Sequence, residues 1–128
     1  KIMPMYLARV KLSKEFMGAV VDRPEDRMAT TTKLLKGIGG RLHSYFFAFG
    51  EYDIILLFDL PDNVAAASLS MVLSASSSAT EIEITPLLTR HEAVEAMHKS
   101  SEAMAVYKPP AGTMPPAGHK QTKKRKAK

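Results

Sequence analysis

The sequence contains no cysteine and no tryptophan among its 128 residues. Without cysteine, the protein cannot form disulfides, thiolate metal sites or iron–sulfur clusters, and it has no cysteine nucleophile. This composition is compatible with a reducing compartment, and we expect a cytoplasmic protein. No apolar run approaches the roughly 18 residues that a membrane-spanning helix needs. No apolar leader precedes the first predicted strand, so neither a membrane span nor a signal peptide is expected.

Acidic residues are absent from residues 108–128, which hold seven Lys and Arg. Residues 1–107 hold 11 basic and 13 acidic residues, a net charge of −2, so the basic character belongs to the C-terminal stretch. That stretch repeats Pro-Pro-Ala-Gly and has too little apolar surface to offset the entropy of ordering. We therefore predict one domain over residues 1–107 and a disordered basic tail over residues 108–128.

The tail is the most specific electrostatic feature of the sequence. Its clustered cations can release counterions from a polyanion such as DNA, RNA or an anionic lipid surface. The candidate polyanion-binding residues are Lys120, Lys123, Lys124, Arg125, Lys126 and Lys128. No aromatic residue follows Tyr107, which argues against base stacking and sequence recognition. The alternative is a solubilising extension, because runs of charge are often only solvated.

Apolar periodicity divides the first 107 residues into alternating strands and helices. It predicts strands over 5–12, 41–49, 52–60 and 79–86, and helices over 24–35, 64–74 and 90–107. Residues 13–23 are predicted to form a connection. Gly50-Glu51 fits a two-residue type II′ turn between the second and third strands, because glycine adopts positive φ at little cost.

This order, β-α-β-β-α-β, predicts an α+β fold of ferredoxin-like type with both helices on one face of an antiparallel sheet. Strict alternation would place Leu42 and Phe46 on one side of the second strand, and Tyr45 and Phe47 on the other. Apolar residues on both sides are unusual for a sheet with one solvated face. We therefore predict a homodimer of the dimeric α/β-barrel type, or a higher homo-oligomer. The C-terminal helix covering that face is the alternative.

The run Leu34-Leu35-Lys36-Gly37-Ile38-Gly39-Gly40-Arg41-Leu42 leads into an aromatic strand and then Phe49-Gly50-Glu51-Tyr52-Asp53-Ile54-Ile55. This pattern resembles the GYD domain family over residues 5–95. The resemblance implies a ferredoxin-like fold but no mechanism, since the family is largely of unknown function. The Gly-x-Tyr-Asp segment also resembles the effector-sensing domains of Lrp/AsnC regulators, which dimerise and bind amino acids between subunits. The chain shows no helix-turn-helix segment before its first strand.

A ligand pocket on the uncovered sheet face is the main functional hypothesis from the residues themselves. Its candidate ligand-binding residues are Arg9, His43, Tyr45, Tyr52 and Asp53. The structural alternative is that Asp53 accepts turn amides and Tyr52 packs. The leading prediction is thus a homo-oligomeric module that binds a small ligand or a protein. The runner-up is a cofactor-free barrel enzyme, an oxygenase or isomerase, that uses His43, Tyr45, Tyr52 or Asp53, with His43 as a candidate acid or base near neutral pH.

His91, Glu95, His98 and Glu102 recur at helical spacing near the C-terminus of the domain. Glu-x-x-His is a metal motif of helix bundles, but it needs partner helices that supply further carboxylates. Apolar residues occupy the other side of this helix, so the charged stripe is most simply its solvated face. No phosphate loop, zinc spacing or Ser/His/Asp order is present, and we expect neither a metal nor a cofactor.

Overall fold

A computed structural model of the chain describes residues 3–113. The predicted polyanion-binding residues and most of the predicted tail lie outside the described residues, so these remain predictions. The chain divides into two compact units, one up to Leu88 and one from Thr89 onward. Among the described residues, no helix is both long enough and apolar enough to cross a lipid bilayer.

The first unit contains a four-stranded antiparallel sheet and three helices. In chain order the elements are β1 (Met5–Leu12), α1 (Lys14–Asp22), α2 (Met28–Gly37), β2 (Arg41–Phe47), β3 (Ile54–Asp59), α3 (Asn63–Ala75) and β4 (Ala79–Leu87). The strands lie in the order β2-β3-β1-β4. This α+β arrangement fits the predicted ferredoxin-like order, with one additional helix between β1 and β2.

The core lies on one side of the sheet, which we call the helix face. β1 alternates as predicted, with every second residue from Tyr6 to Leu12 buried. Buried residues of β3 lie on the same side, and Leu35 of α2 and Leu69 of α3 pack against them. Each large apolar side chain buried here contributes about 1.5–3 kcal/mol to folding. The prediction that the helices share one face of the sheet is confirmed for α2 and α3.

The segment after β1 was predicted as a connection but forms the helix α1. Ser13 caps this helix, since its hydroxyl accepts a hydrogen bond from the Phe16 amide at 3.0 Å. Pro24 disfavours helical geometry in the residue before it, and α1 ends at Asp22. The following helix begins at Met28, four residues later than the predicted start at Pro24.

The predicted two-residue turn at Gly50-Glu51 is also wrong. β2 ends at Phe47 and β3 begins at Ile54, so a six-residue loop, 48–53, joins them. The Ala48 amide closes the loop with a 2.7 Å hydrogen bond to the Asp53 carbonyl oxygen. Gly50 does not adopt the positive φ that a type II′ turn requires, and nothing in the structure explains glycine at this position.

β2 carries one extra residue relative to β3, at His43. Leu42 pairs with Phe58 and Ser44 pairs with Leu57, so His43 falls between two paired positions. Such a β-bulge shifts the alternation of side chains by one residue beyond it. Before the bulge, the even-numbered residues of β2 face the helices, and beyond it the odd-numbered residues do.

The bulge changes which aromatic side chains of β2 face the helices. Leu42, Tyr45 and Phe47 all pair with helix-face residues of β3, whereas Phe46 pairs with Ile55 on the opposite side. Strict alternation along the sequence would group Leu42 with Phe46 and Tyr45 with Phe47. The first grouping is wrong because the bulge separates the two members.

Two glycines let α2 end close to β3. Gly39 has φ of +88°, a backbone conformation that costs other residues more energy. A Cβ atom on Gly40 would lie within 2.4 Å of both the Asp59 carbonyl oxygen and a Leu60 methyl group. Only glycine therefore fits at position 40 without displacing the end of β3.

The second unit contains the helix α4 (Arg90–Met104). A capping box begins this helix: the Thr89 hydroxyl accepts a hydrogen bond from the Glu92 amide at 3.0 Å, and the Glu92 carboxylate accepts one from the Thr89 amide at 2.8 Å. The helix ends three residues before the predicted boundary at Tyr107. His91 and Glu95 form an exposed pair at 3.8 Å, one turn apart. Within residues 3–113, no three His, Asp or Glu side chains converge on a point where a metal could bind.

Candidate functional site

The side of the sheet opposite the helix face is the candidate site, and we call it the outer face. Within residues 3–88, no helix packs on this side. It is formed by Met5, Leu7, Arg9, Lys11, Arg41, His43, Ser44, Phe46, Ile55, Leu57, Asp59, Glu81, Glu83, Thr85 and Leu87. The strand pairing places its apolar members in a diagonal band and its charged members in two opposite corners.

The first charged corner lies where β1 pairs with β4. Arg9 forms a close ion pair with Glu83, and Lys11 lies 3.9 Å from Glu81. The Tyr52 ring packs beside both cations, with its centroid 5.0 Å from the Arg9 guanidinium carbon and 5.9 Å from the Lys11 nitrogen. These cation–π contacts connect the loop between β2 and β3 to the centre of the sheet.

The Tyr52 hydroxyl donates towards the carboxylates of Glu81 and Glu83, at 3.3 and 3.5 Å. Partial desolvation raises the pKa of Tyr52 above its ordinary value of 10, and the negative charges of these two carboxylates raise it further. The phenol therefore stays protonated at neutral pH. It serves as a hydrogen-bond donor in this corner rather than as a base.

Asp53 stabilises the junction between the loop and β1. Its carboxylate accepts a hydrogen bond from the Leu12 amide at 2.8 Å, and its own amide donates to the Val10 carbonyl oxygen at 2.8 Å. These contacts correspond to the structural alternative considered for Asp53, in which the carboxylate accepts backbone amides. The carboxylate is thus occupied by the backbone of β1.

The second charged corner lies at the bulge. The His43 Nε2 atom is 3.0 Å from the Asp59 carboxylate, whose side chain is only 13% exposed. The Arg41 guanidinium lies 3.7 Å from the other oxygen of Asp59. A carboxylate at one ring nitrogen fixes the orientation of an imidazole and leaves the other nitrogen as the proton acceptor. This corner therefore has the geometry of an acid–base pair.

Tyr45 does not belong to the outer face, contrary to the sequence prediction. The bulge places it on the helix face, where it lines a cavity together with Arg27 and Thr31. Burial raises the pKa of Tyr45, and the positive charge of Arg27 offsets part of this effect.

The structure thus brings together only some of the five predicted ligand-binding residues. Arg9 and Tyr52 are in contact, whereas His43 belongs to the opposite corner. Arg9 pairs with Ile55, and Asp59 lies four residues further along β3, which separates the two corners by at least about 13 Å. The predicted set is therefore not one cluster, although its ligand-binding role stays a prediction.

Three carboxylates in the two corners were missed by the sequence analysis. Glu81 and Glu83 alternate with apolar residues along β4, but their partners on β1 depend on a register that the sequence does not reveal. Asp59 was overlooked because it is far from His43 in sequence. Its position at an outward-facing site of an otherwise apolar strand is the signal that could have drawn attention to it.

Comparison with protein-family models matches the GYD domain over residues 6–97. The chain belongs to the GYD domain family. This confirms the resemblance inferred from Gly50, Tyr52 and Asp53, and the matched range agrees closely with residues 5–95. No curated protein and no solved structure gives a significant match. In this GYD domain, Tyr52 and Asp53 both connect the loop before β3 to neighbouring strands.

We predict that Asp53→Ala lowers the free energy of unfolding by about 1–3 kcal/mol, because the Leu12 amide loses its acceptor in a partly buried position. Denaturant unfolding followed by circular dichroism measures this change. Glu51→Ala, in the same loop but exposed, is the matched control and should change stability by less than about 0.5 kcal/mol. Equal effects of the two substitutions would contradict the structural role of Asp53.

Proposed function

We propose that this GYD domain is a homodimeric binding module that assembles through its outer face. The observation that carries the proposal is the diagonal apolar band on that face. The band runs from Met5 and Leu87 through Leu7 and Leu57 to Ile55 and Phe46. Phe46 is 63% exposed and the other five residues are partly exposed, and contiguous apolar surface of this kind usually marks an interaction site.

A second copy of the same face is the occupant that fits best. Two sheets pack face to face about 10 Å apart, with their inner side chains interdigitated. All four strands contribute residues to the band. A two-fold axis along the band would bring the apolar residues of one copy against those of the other. The charged corners on either side of the band would then lie at the rim, where partial hydration is retained.

The proposed ligand site lies between the two sheets. Clefts of this kind combine apolar walls with a few polar groups that orient the ligand. Arg9, Tyr52 and His43 are at the edges of the band and would supply those groups. Tyr45 and Asp53 would not, because the first lies on the helix face and the second is engaged by the backbone of β1.

The His43–Asp59 pair favours a second candidate function, that of a cofactor-free enzyme. Its geometry suits abstraction of a proton from a carbon next to a carbonyl group, the first step of many isomerisations. The base would be the imidazole nitrogen that does not face Asp59, and the abstracted proton would reside on that nitrogen until it returns to the substrate. The adjoining apolar band would supply a desolvated surface for the rest of the substrate.

The basic tail adds a separate proposal, namely weak attraction to polyanions. The seven cations of residues 108–128 carry no acidic counterparts. Attraction of this kind arises mainly from released counterions and therefore weakens as salt increases. It would concentrate the domain near a polyanion without recognising a sequence.

For assembly, we predict that the wild-type protein sediments as a dimer and that Leu57→Lys sediments as a monomer. A lysine in the centre of a packed apolar interface would be an uncompensated buried charge. Its burial would cost about 3 kcal/mol or more, which reduces the affinity of the dimer at least a hundredfold. Val21→Lys on α1 is the matched control, an exposed apolar residue away from the outer face that should leave the dimer intact. A wild-type protein that remains monomeric at millimolar concentration would contradict the proposal.

For the enzyme candidate, we predict that the protein catalyses deuterium uptake from solvent into small carbonyl compounds, detectable by NMR. His43→Ala should slow this exchange by about 10²–10⁴-fold through loss of the base. Asp59→Asn should also slow it, while His91→Ala on α4 should have no effect. The candidate fails if no compound in the panel exchanges, or if His43→Ala retains the wild-type rate with the fold intact.

For the tail, we predict salt-sensitive binding to duplex DNA, measured by fluorescence anisotropy of a labelled duplex. Each phosphate contact contributes about −0.9 to the slope of log affinity against log salt, so seven cations set a limit of about −6. A chain truncated after residue 107 should lose this binding. Affinity that survives the truncation, or that does not depend on salt, would rule out the electrostatic proposal.

A further inference from the structure

A cavity lies inside the first unit, between the helix face of the sheet and the helices. Its volume is about 70 Å³. The inner wall consists of buried aliphatic side chains from three elements, Leu12 of β1, Leu56 of β3 and Leu69 of α3. The opposite side of the sheet carries the outer face, so this cavity is separate from the proposed dimer interface.

Thr30 and Ser78 contribute polar side chains to the cavity lining, and three further polar side chains come from α2, its N-cap and β2. These three are Thr31, Arg27 and Tyr45, all of them partly exposed. Hydroxyl groups at the rim of an aliphatic cavity allow one end of a ligand to form hydrogen bonds while the remainder is desolvated. The cavity is thus suited to an amphiphilic molecule rather than to a purely apolar one.

The charges around the rim decide between a charged and an uncharged ligand. The Arg27 guanidinium already lies 3.3 Å from the Glu25 carboxylate and 5.1 Å from the Phe16 ring centroid. Asp26 follows Glu25 in the same loop, so two carboxylates accompany one cation. An anionic ligand would have to displace Glu25 and approach Asp26, which disfavours a carboxylate head group.

Size limits the ligand further. Apolar cavities of ~150 Å³ accommodate benzene, so one of half that volume holds about three non-hydrogen atoms, and the polar end of a slightly longer ligand lies at the partly exposed rim. We propose that this cavity binds a small uncharged amphiphile, a short aliphatic chain with one hydroxyl or carbonyl group. The chain lies among Leu12, Leu56 and Leu69, and the polar group bonds to the hydroxyls of Tyr45 and Thr31.

The test uses 1-butanol as the probe and butyrate as its anionic counterpart of equal chain length. In methyl-labelled full-length protein, 1-butanol should shift the NMR signals of Leu12 and Leu69 with a saturable, millimolar dissociation constant. The outer-face methyls of Leu7 and Leu57 should not shift, which separates this site from the proposed dimer cleft. Butyrate should bind at least about tenfold more weakly.

Two neighbouring substitutions on α2 provide a matched pair. Thr31→Val keeps the shape of the rim but removes a hydroxyl, and it should weaken 1-butanol binding about fivefold. Thr32→Val removes a hydroxyl that bonds to the Met28 carbonyl oxygen and does not line the cavity, so it should leave the affinity unchanged. Equal binding of butyrate, shifts confined to the outer face, or no saturable shift at Leu12 and Leu69 would each overturn the proposal.

Discussion

The extra residue at His43 in β2 determines which chemical groups each side of the sheet carries. Without it, Tyr45 would share a side with the residue at the bulge, and the cavity beside α2 would lack its phenol. With it, His43 contacts Asp59 on the outer face while Tyr45 lines the core. Bulges are commonly found where a strand must redirect a functional side chain. In this protein the bulge places the His43–Asp59 pair on the outer face and Tyr45 at the cavity on the helix face.

The charges of the outer face are arranged in pairs rather than as a patch of one sign. Three cations, Arg9, Lys11 and Arg41, each lie beside a carboxylate of a neighbouring strand. A surface of balanced pairs exerts little long-range attraction, so apolar contact and shape govern what associates with it. The residues beyond 107 show the opposite pattern, with seven cations and no acid. The net positive charge of the chain therefore arises entirely from residues 108–128.

Features encoded within a few residues could be predicted from the sequence. The alternation of β1, the Asp62 cap of α3 and the Thr89 capping box of α4 each depend on local periodicity or on one side chain bonding to a nearby amide. The overall α+β order followed from these elements. The fold was therefore predictable to the level of its α+β class and of the side on which α2 and α3 pack.

Features that depend on distant partners were not predictable in the same way. The loop before β3 is long because Asp53 bonds to Leu12, which is 41 residues earlier in the chain. The bulge brings His43 next to Asp59, across a strand pair whose register no local pattern specifies. These contacts decide the composition of the outer face, so sequence patterns could point to Arg9, His43 and Tyr52 but not to the way in which they are grouped.

The role of the Tyr-Asp pair limits what family membership implies about function. Tyr52 packs against Arg9 and contacts two carboxylates of β4, and Asp53 accepts an amide of β1. Both residues hold the loop against neighbouring strands, a structural role that does not depend on any ligand. Shared Tyr-Asp residues therefore indicate a shared fold. Of the pair, only Tyr52 also belongs to the proposed ligand site, and the other proposed chemistry lies at the bulge at His43 and at the rim around Tyr45.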